Sequence, residues 1–327
     1  ASYLSLPATR QRAKMTDTLV MKGLNVWAEA YLNALLSGPV THMVNITSNM
    51  LFGLWQLPER TLGAVVGKVR TGVLRGFAND DRVVIGESIA MMHGWRHGIV
   101  GAWRGAWKAL RHEEETFGAM TKIDVREKRA ISANYLNIEN AVGARAVDAL
   151  GVMTRFMGSR LLLAEDEFAK GLAFQAELHT QAVRRYDAAV RNGMSPEEAE
   201  KMAVNVLAGK DQNAVSAAID NAQTLTFQGE LGPVMAKFQN VMSHPVAKVI
   251  VPFFKTPTNI IKETMKRSPV AWLPGTGFWT DMKKGGAQAD LAMSRMMLGS
   301  ATFGAVAMWG AGTEGDDFII TGSGPED

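Results

Sequence analysis

The sequence predicts an all-α fold, an elongated multi-helix assembly, and three observations predict it. Apolar residues recur at helical spacing through most of the chain. Two stretches of membrane length, 39–57 and 296–313, contain no Asp, Glu, Lys or Arg. Only Thr224-Leu225-Thr226-Phe227 suggests an extended run, and one short run makes no sheet.

Composition narrows the function classes. Of the 327 residues 47% are hydrophobic and 20% charged, which is oily for a solvated monomer. The 19 methionines are flexible and polarisable, and suit helix surfaces that repack. With no cysteine, disulfides, thiol catalysis and Cys-ligated zinc are excluded. A net charge of +3 argues only weakly for a nucleic-acid or membrane-surface partner. Three regions are read along the chain: an N-terminal helical region 1–120, a central amphipathic region 121–230 and a C-terminal region 231–327.

Residues 1–16 read as a polar arm, in which Arg10, Arg12 and Lys14 precede no compact apolar core, so no secretory signal is expected. Leu19, Val20, Leu24, Trp27, Tyr31 and Leu35 then define a helix over 16–36. The uncharged stretch 39–57 opens on Gly38-Pro39, a favourable helix entry, and Pro58 predicts its end. Its length as a helix is roughly 28 Å, close to the thickness of a bilayer's hydrocarbon core. Thr41, Asn45 and Asn49 lie on one stripe, with Ser48 beside it. Asn45 and Asn49 are therefore expected to act as interhelix hydrogen-bond glue. Three settings suit such a helix: the core of a soluble bundle, a membrane, or a position between subunits.

A second helical stretch over 60–77 carries Lys68, Arg70 and Arg75, and Asn79-Asp80-Asp81 breaks it. The helix over 85–111 separates into three faces. Gly94, Gly98, Gly101 and Gly105 form one narrow stripe, which implies close approach by another helix or subunit. Met92, Trp95, Ile99, Trp103, Ala106 and Leu110 form an apolar face with Trp107 at its edge. His93, His97, Arg104, Lys108 and Arg111 form a basic face. Trp95, Trp103 and Trp107 are candidate membrane contacts, and Arg96, Arg104, Lys108 and Arg111 are candidates for facing DNA or lipid phosphate. An oligomer contact and a packed helix with a solvated basic side fit the same pattern. His93 and His97 at i, i+4 lack the Glu of a metalloprotease motif, and no metal is expected.

Glu113-Glu114-Glu115 predicts a solvated helix end. Residues 122–149 read as helical with a break near 134–137, and 152–192 as one long amphipathic helix. Within it Glu165, Asp166 and Glu167 suggest paired acid/base carboxylates. Adjacent helical residues diverge, however, and an Asp166–Lys170 ion pair at i, i+4 is the simpler expectation. Ser195-Pro196-Glu197-Glu198 is a capping box opening a helix to about residue 208, with Gly209 at its end. Short helices follow over 213–221 and 231–242. Thr256-Pro257 predicts the cap of a helix ending at 267, and an aromatic, turn-rich connector runs from Trp272 to Trp279. A last helix begins near Ala287. Its charge-free part, 296–313, pairs Ser300 with Gly304 and Ala301 with Ala305, and is the better transmembrane candidate. Phe303 and Trp309 on it are further candidate membrane contacts. Lys283, Lys284 and Arg295 precede it while Glu314, Asp316 and Asp317 follow, so an inserted helix would keep its N-terminal side cytoplasmic.

The sequence contains no P-loop, dinucleotide fingerprint, nucleophile elbow or kinase set. No cofactor and no catalytic residue is expected. Several blocks do resemble a family: LLSGPVTHMVNITSN with LWQLPER, AEDEFAKGLAFQAELH, VIVPFFKTPTNIIKE, and MMLGSATFGAVAMWG leading into ITGSGPED. They resemble the internal virion or DNA-ejection proteins of short-tailed bacteriophages and related large polyvalent phage proteins. The resemblance covers most of the chain in this order and implies a segment of a longer protein. It also implies a structural role: packed in the virion interior, then assembled as a homo-oligomeric tube across the host periplasm and inner membrane. Implied partners are other ejection, portal and tail proteins, and double-stranded DNA in a lumen. A soluble internal scaffold, or a wall-degrading enzyme using Glu167, are the alternatives.

Overall fold

The computed structural model describes residues 19–73, 81–116, 129–231, 235 and 254–312, and among them every regular element is a helix. The N-terminal part comprises α1 (Leu19–Leu36), α2 (Pro39–Val73) and α3 (Glu87–His112). Short α4 (Ala133–Leu136) leads to α5 (Ala141–Arg155), which passes through a π-turn at Phe156–Arg160 into α6 (Leu161–Arg191). Then come α7 (Pro196–Leu207), α8 (Gln212–Leu225), α9 (Lys255–Lys266), α10 (Phe278–Lys284) and α11 (Gly286–Gly312). The expected helix over 231–242 and the charges at 314–317 lie outside the described residues, Leu231 and Met235 excepted.

Helix α6 is the axis of the bundle. It lies along α3 over most of its length, carries α7 and α8, and is crossed by α2; α11 packs on α2 and α10. Local chemistry fixes many helix ends. The Ser195 hydroxyl accepts from the Glu198 amide while the Glu198 carboxylate accepts from the Ser195 amide, completing the capping box. Asp211 caps α8 by accepting from the Asn213 and Ala214 amides. Asn140 caps α5 in the same way through the Val142 amide.

Several boundaries differ from the sequence reading. Helix α2 does not stop at Pro58 but continues to Val73, joining two stretches expected to be separate. A proline inside a helix loses one hydrogen bond and crowds the preceding turn. Here tertiary contacts hold the helix on both sides of the proline: the Leu57 carbonyl accepts from the Ser88 hydroxyl of α3 at 3.2 Å. Glu59 and Arg60, next after the proline, are buried in ion pairs. The expected single helix over 152–192 is instead interrupted by the π-turn. There the Ser159 amide donates to Asn33 Oδ1 at 3.1 Å, and a Cβ on Gly158 would meet the Asn33 carbonyl at 2.7 Å. The absence of a side chain at Gly158 is what lets α1 seat so closely at that point. Residues 224–227 end α8 rather than extend, with Phe227 at φ 55°. Helix α9 begins at Lys255, so Thr256 lies in its first turn and does not cap it.

The acidic run at 113–115 is not simply solvated. Glu113 ends α3 in the left-handed region (φ 55°), and Arg129, Arg155 and Arg160 all pair with it. Burial alone would raise its pKa, but the three guanidinium groups reverse that and hold it below the usual carboxylate range.

The interior is built from alanines and paired charges. Ala90, Ala102, Ala173, Ala176, Ala218 and Ala222 pack helix on helix, while Lys170, Gln228, Glu59, Glu87 and Glu167 rank among the largest side chains that are fully buried. Two networks dominate. Glu87 takes Arg184 at 2.8 Å through both oxygens and Arg60 at 2.7 Å, and Arg60 also pairs with Glu177. Glu59 takes Arg267 and Arg295, and Arg267 also pairs with Glu263.

Candidate binding cleft and the apolar outer face

Helix α2 turns its polar side inward. His42, Asn49, Gln56, Glu59 and Arg60 are buried, whereas Val40, Met43, Val44, Ile46, Met50 and Leu51 are each more than half exposed. Spacing of seven keeps His42, Asn49 and Gln56 on one face. A helix on a water-facing surface has the opposite arrangement. Each large apolar side chain left in water forgoes about 1.5–3 kcal/mol of burial. A row of them on one helix marks an interaction surface.

The N-terminal part of this face borders a cavity of about 600 Å³ between α2, α3 and α6. Its walls are almost wholly apolar: Ile46, Met50, Leu54, Trp95, Trp103 and Phe168 are representative. Trp103 meets Phe168 edge-on, with ring centroids 6.3 Å apart. Glu165 and Arg96 are the charged residues on the lining. Burial, helped by neighbouring Asp166, raises the pKa of Glu165, although His42 at 2.8 Å and the Asn45 amide at 3.0 Å oppose the shift. Asn49 also lines the cavity, and neither its Oδ1 nor its Nδ2 has a hydrogen-bond partner. An unpaired buried amide costs roughly 1–3 kcal/mol.

Helix α3 contributes two surfaces. At Gly94 a Cβ would approach Ala176 Cα to 2.5 Å, and at Gly98 it would approach Gln175 Cβ to 2.9 Å. The seam continues through Ala102, against which a Cβ on Gly171 would clash at 2.8 Å. The partner of this seam is α6 of the same chain. Gly101 meets nothing within 4 Å and Gly105 meets only the Thr116 hydroxyl at 3.7 Å, so the glycine stripe drifts off the contact. On the outer side Trp103, Arg104, Trp107, Lys108, Arg111 and His112 line a shallow basic surface beside the cavity. Lys108 pairs with Glu114 at 2.8 Å. Arg96, Arg104 and Arg111 are exposed and take part in no ion pair among the described residues.

Other predicted residues fall elsewhere. Asn45 Nδ2 donates to Glu165 at 3.0 Å and Asp166 at 3.2 Å, joining α2 to α6 within the chain. Asp166 does not pair with Lys170; it accepts from Gln228 Nε2 at 2.9 Å, and Lys170 pairs with Glu167 at 3.0 Å. Glu167 is fully buried, with its second oxygen taken by the Thr116 amide at 2.8 Å. It does not line the cavity. His97 stacks on His179 at 5.7 Å.

Helix α11 is long and apolar enough to cross a membrane over Gly286–Gly310. Its first turns are anchored: Asp290 is fully buried, accepts from Arg70 Nε at 2.8 Å and from the Val83 amide at 3.1 Å. Towards its far end Phe303, Met308 and Trp309 are each about two-thirds exposed or more. Sequence reasoning missed His42, Gln56, Phe168 and the inward-facing Glu59 and Arg60. The seven-residue recurrence of His42, Asn49 and Gln56 was the available signal. No protein-family model, curated protein or solved structure matches this chain.

Proposed function

We propose that this chain is a structural DNA-ejection protein that assembles with copies of itself and with other virion proteins, and presses its apolar helices against the host inner membrane while the genome crosses the envelope. The observation that carries this reading is the inverted outer face of α2. Val40, Met43, Val44, Met50 and Leu51 point outward over a polar, ion-paired interior. Stability lodged in internal ion pairs leaves the apolar surface available to lipid or to neighbouring subunits. The exposed end of α11 offers a second apolar element. Arg96, Arg104, Lys108 and Arg111 supply positive charge for phosphate, which needs no sequence-specific geometry. The resemblance of the quoted sequence blocks gives this surface its setting: virion interior first, host envelope afterwards.

Liposome flotation combined with mass photometry tests the reading. Co-flotation with vesicles, and oligomers visible in nanodiscs by cryo-electron microscopy, are expected. Monomers that remain at the bottom of the gradient would overturn it in favour of a soluble internal scaffold.

A further inference from the structure

The cavity under α2 and the basic surface beside it share two residues, Trp103 and Trp107. One side of this pair faces an apolar, partly open hollow; the other carries Arg104, Lys108, Arg111 and His112. Two arginines there, Arg104 and Arg111, are without a carboxylate partner among the described residues. The cavity has the size of pockets that hold a small organic ligand, about 300–1,000 Å³. Asn49 supplies a donor and an acceptor, both buried and unused, in an otherwise apolar wall whose charged side chains are Glu165 and Arg96. A ligand matching this layout is amphipathic. It has an apolar tail, a single ester-like polar group within hydrogen-bond reach of an amide, and an anionic end.

We propose that the cleft between α2, α3 and α6 binds one anionic glycerophospholipid, its acyl chain in the cavity, an ester oxygen on Asn49 and its phosphate on Arg104 and Arg111. The antiparallel register of α2 and α3 fits this placement. Arg60 meets Glu87 and Gly53 lies beside Trp95, so Asn49 falls abreast of the turn near Ile99, short of the basic end. Tryptophan at the boundary between the apolar and charged parts suits the interfacial level of a lipid. Positive charge selects an anionic head group over a zwitterionic one. This inference deepens the membrane reading above and rests on it for its biological setting, but it concerns a discrete site.

The test uses the intact chain and a short-chain phosphatidylglycerol held below its micelle concentration, titrated by intrinsic tryptophan fluorescence and calorimetry. Saturable one-to-one binding is expected, at least tenfold tighter than for phosphatidylcholine of equal chain length. Asn49→Leu and, separately, Arg104→Gln/Arg111→Gln should each weaken it about tenfold with unchanged helical circular dichroism. Glycerol phosphate alone should not compete; competition at equal concentration would reassign the site to free phosphate and overturn the lipid proposal. Tight binding of a short DNA duplex that Arg104→Gln/Arg111→Gln abolishes and Asn49→Leu leaves untouched, without lipid saturation, would overturn it in favour of nucleic acid. Flotation of the wild type with no saturable short-chain binding would sink this site while leaving the membrane role standing. Saturable binding without flotation would do the reverse.

Discussion

Glu87 and Arg184 form a two-pronged ion pair, 2.8 Å at each contact, at the point where α3 leaves α2 and lies down on α6. Burial opposes ionisation of Glu87, yet Arg184 and Arg60 hold its pKa below the ordinary value; the same carboxylate keeps Arg184 above its own. Replacing Glu87 by Gln leaves two buried guanidinium groups short of a counter-charge. Breaking a buried pair from one side costs roughly 3–5 kcal/mol. Urea unfolding of Glu87→Gln should show a loss of that order, with strong non-additivity when Arg184→Met is added. A loss below about 1 kcal/mol would mean that this network does not hold the three helices together.

Gly94 and Gly101 sit on the same helix with different surroundings, and that difference predicts opposite signs. At Gly94 a methyl group would press on the backbone of α6, whereas at Gly101 it would meet open space. Alanine is worth about 0.5–1 kcal/mol more than glycine inside a helix. Gly101→Ala should therefore raise the melting temperature by a few degrees. Gly94→Ala should lower it, because backbone cannot yield as a flexible side chain does. Thermal scans monitored at 222 nm decide both; stabilisation by Gly94→Ala would show that α3 and α6 are not in this register.

Glu263 gives the acid limb of stability a defined window. Burial pushes its pKa up, but Lys266, Arg267 and Arg295 outweigh burial and bring it down to about 2. A carboxylate whose folded pKa lies below its unfolded value stabilises the fold above the unfolded value, near 4.5, and that contribution drains away as pH falls towards 2. The amount at stake is on the order of 3 kcal/mol. Glu263→Gln should be less stable at pH 7 and should show a flatter stability profile between pH 4.5 and 2 than the wild type. Parallel profiles for the two proteins over that window would contradict the assignment.

How much of this was legible beforehand depends on how far each determinant lies along the chain. The capping box at Ser195 and Glu198 is local, and the sequence reading placed it correctly. The all-α class follows from periodicity, which is also local. Glycine spacing on α3 indicated close approach, but spacing does not say which helix approaches. Continuation of α2 through Pro58 was hidden because its support comes from Arg267 on Glu59, 208 residues away, and Glu87 on Arg60, 27 residues away. The same distance effect concealed the ring of arginines around Glu113, which by itself looks like a charge meant for water. On α2 the row Thr41, Asn45, Asn49 catches only part of the inward face. Its full polar row runs on through Gln56 to Glu59 and Arg60, beyond the proline that had seemed to end the helix.

Asn49 separates stability from binding. Its side chain is 4% exposed and neither polar atom of its amide makes a hydrogen bond, which is a net penalty. Leucine has nearly the same size and shape and no polar atoms to satisfy. Asn49→Leu should therefore stabilise the protein by roughly 1–3 kcal/mol, the magnitude of relieving one unsatisfied buried group. A residue kept for packing would show no such gain on replacement. A residue kept for a ligand should show the gain together with weaker lipid binding, because the stored cost is released only when a partner arrives. Chemical denaturation with and without short-chain phosphatidylglycerol resolves the two quantities. Wild type should gain stability from the lipid and the variant should gain much less, so that the curves converge as lipid is added. Destabilisation by Asn49→Leu in the absence of lipid would mean that the amide already has a partner, and that the cleft is not waiting for one.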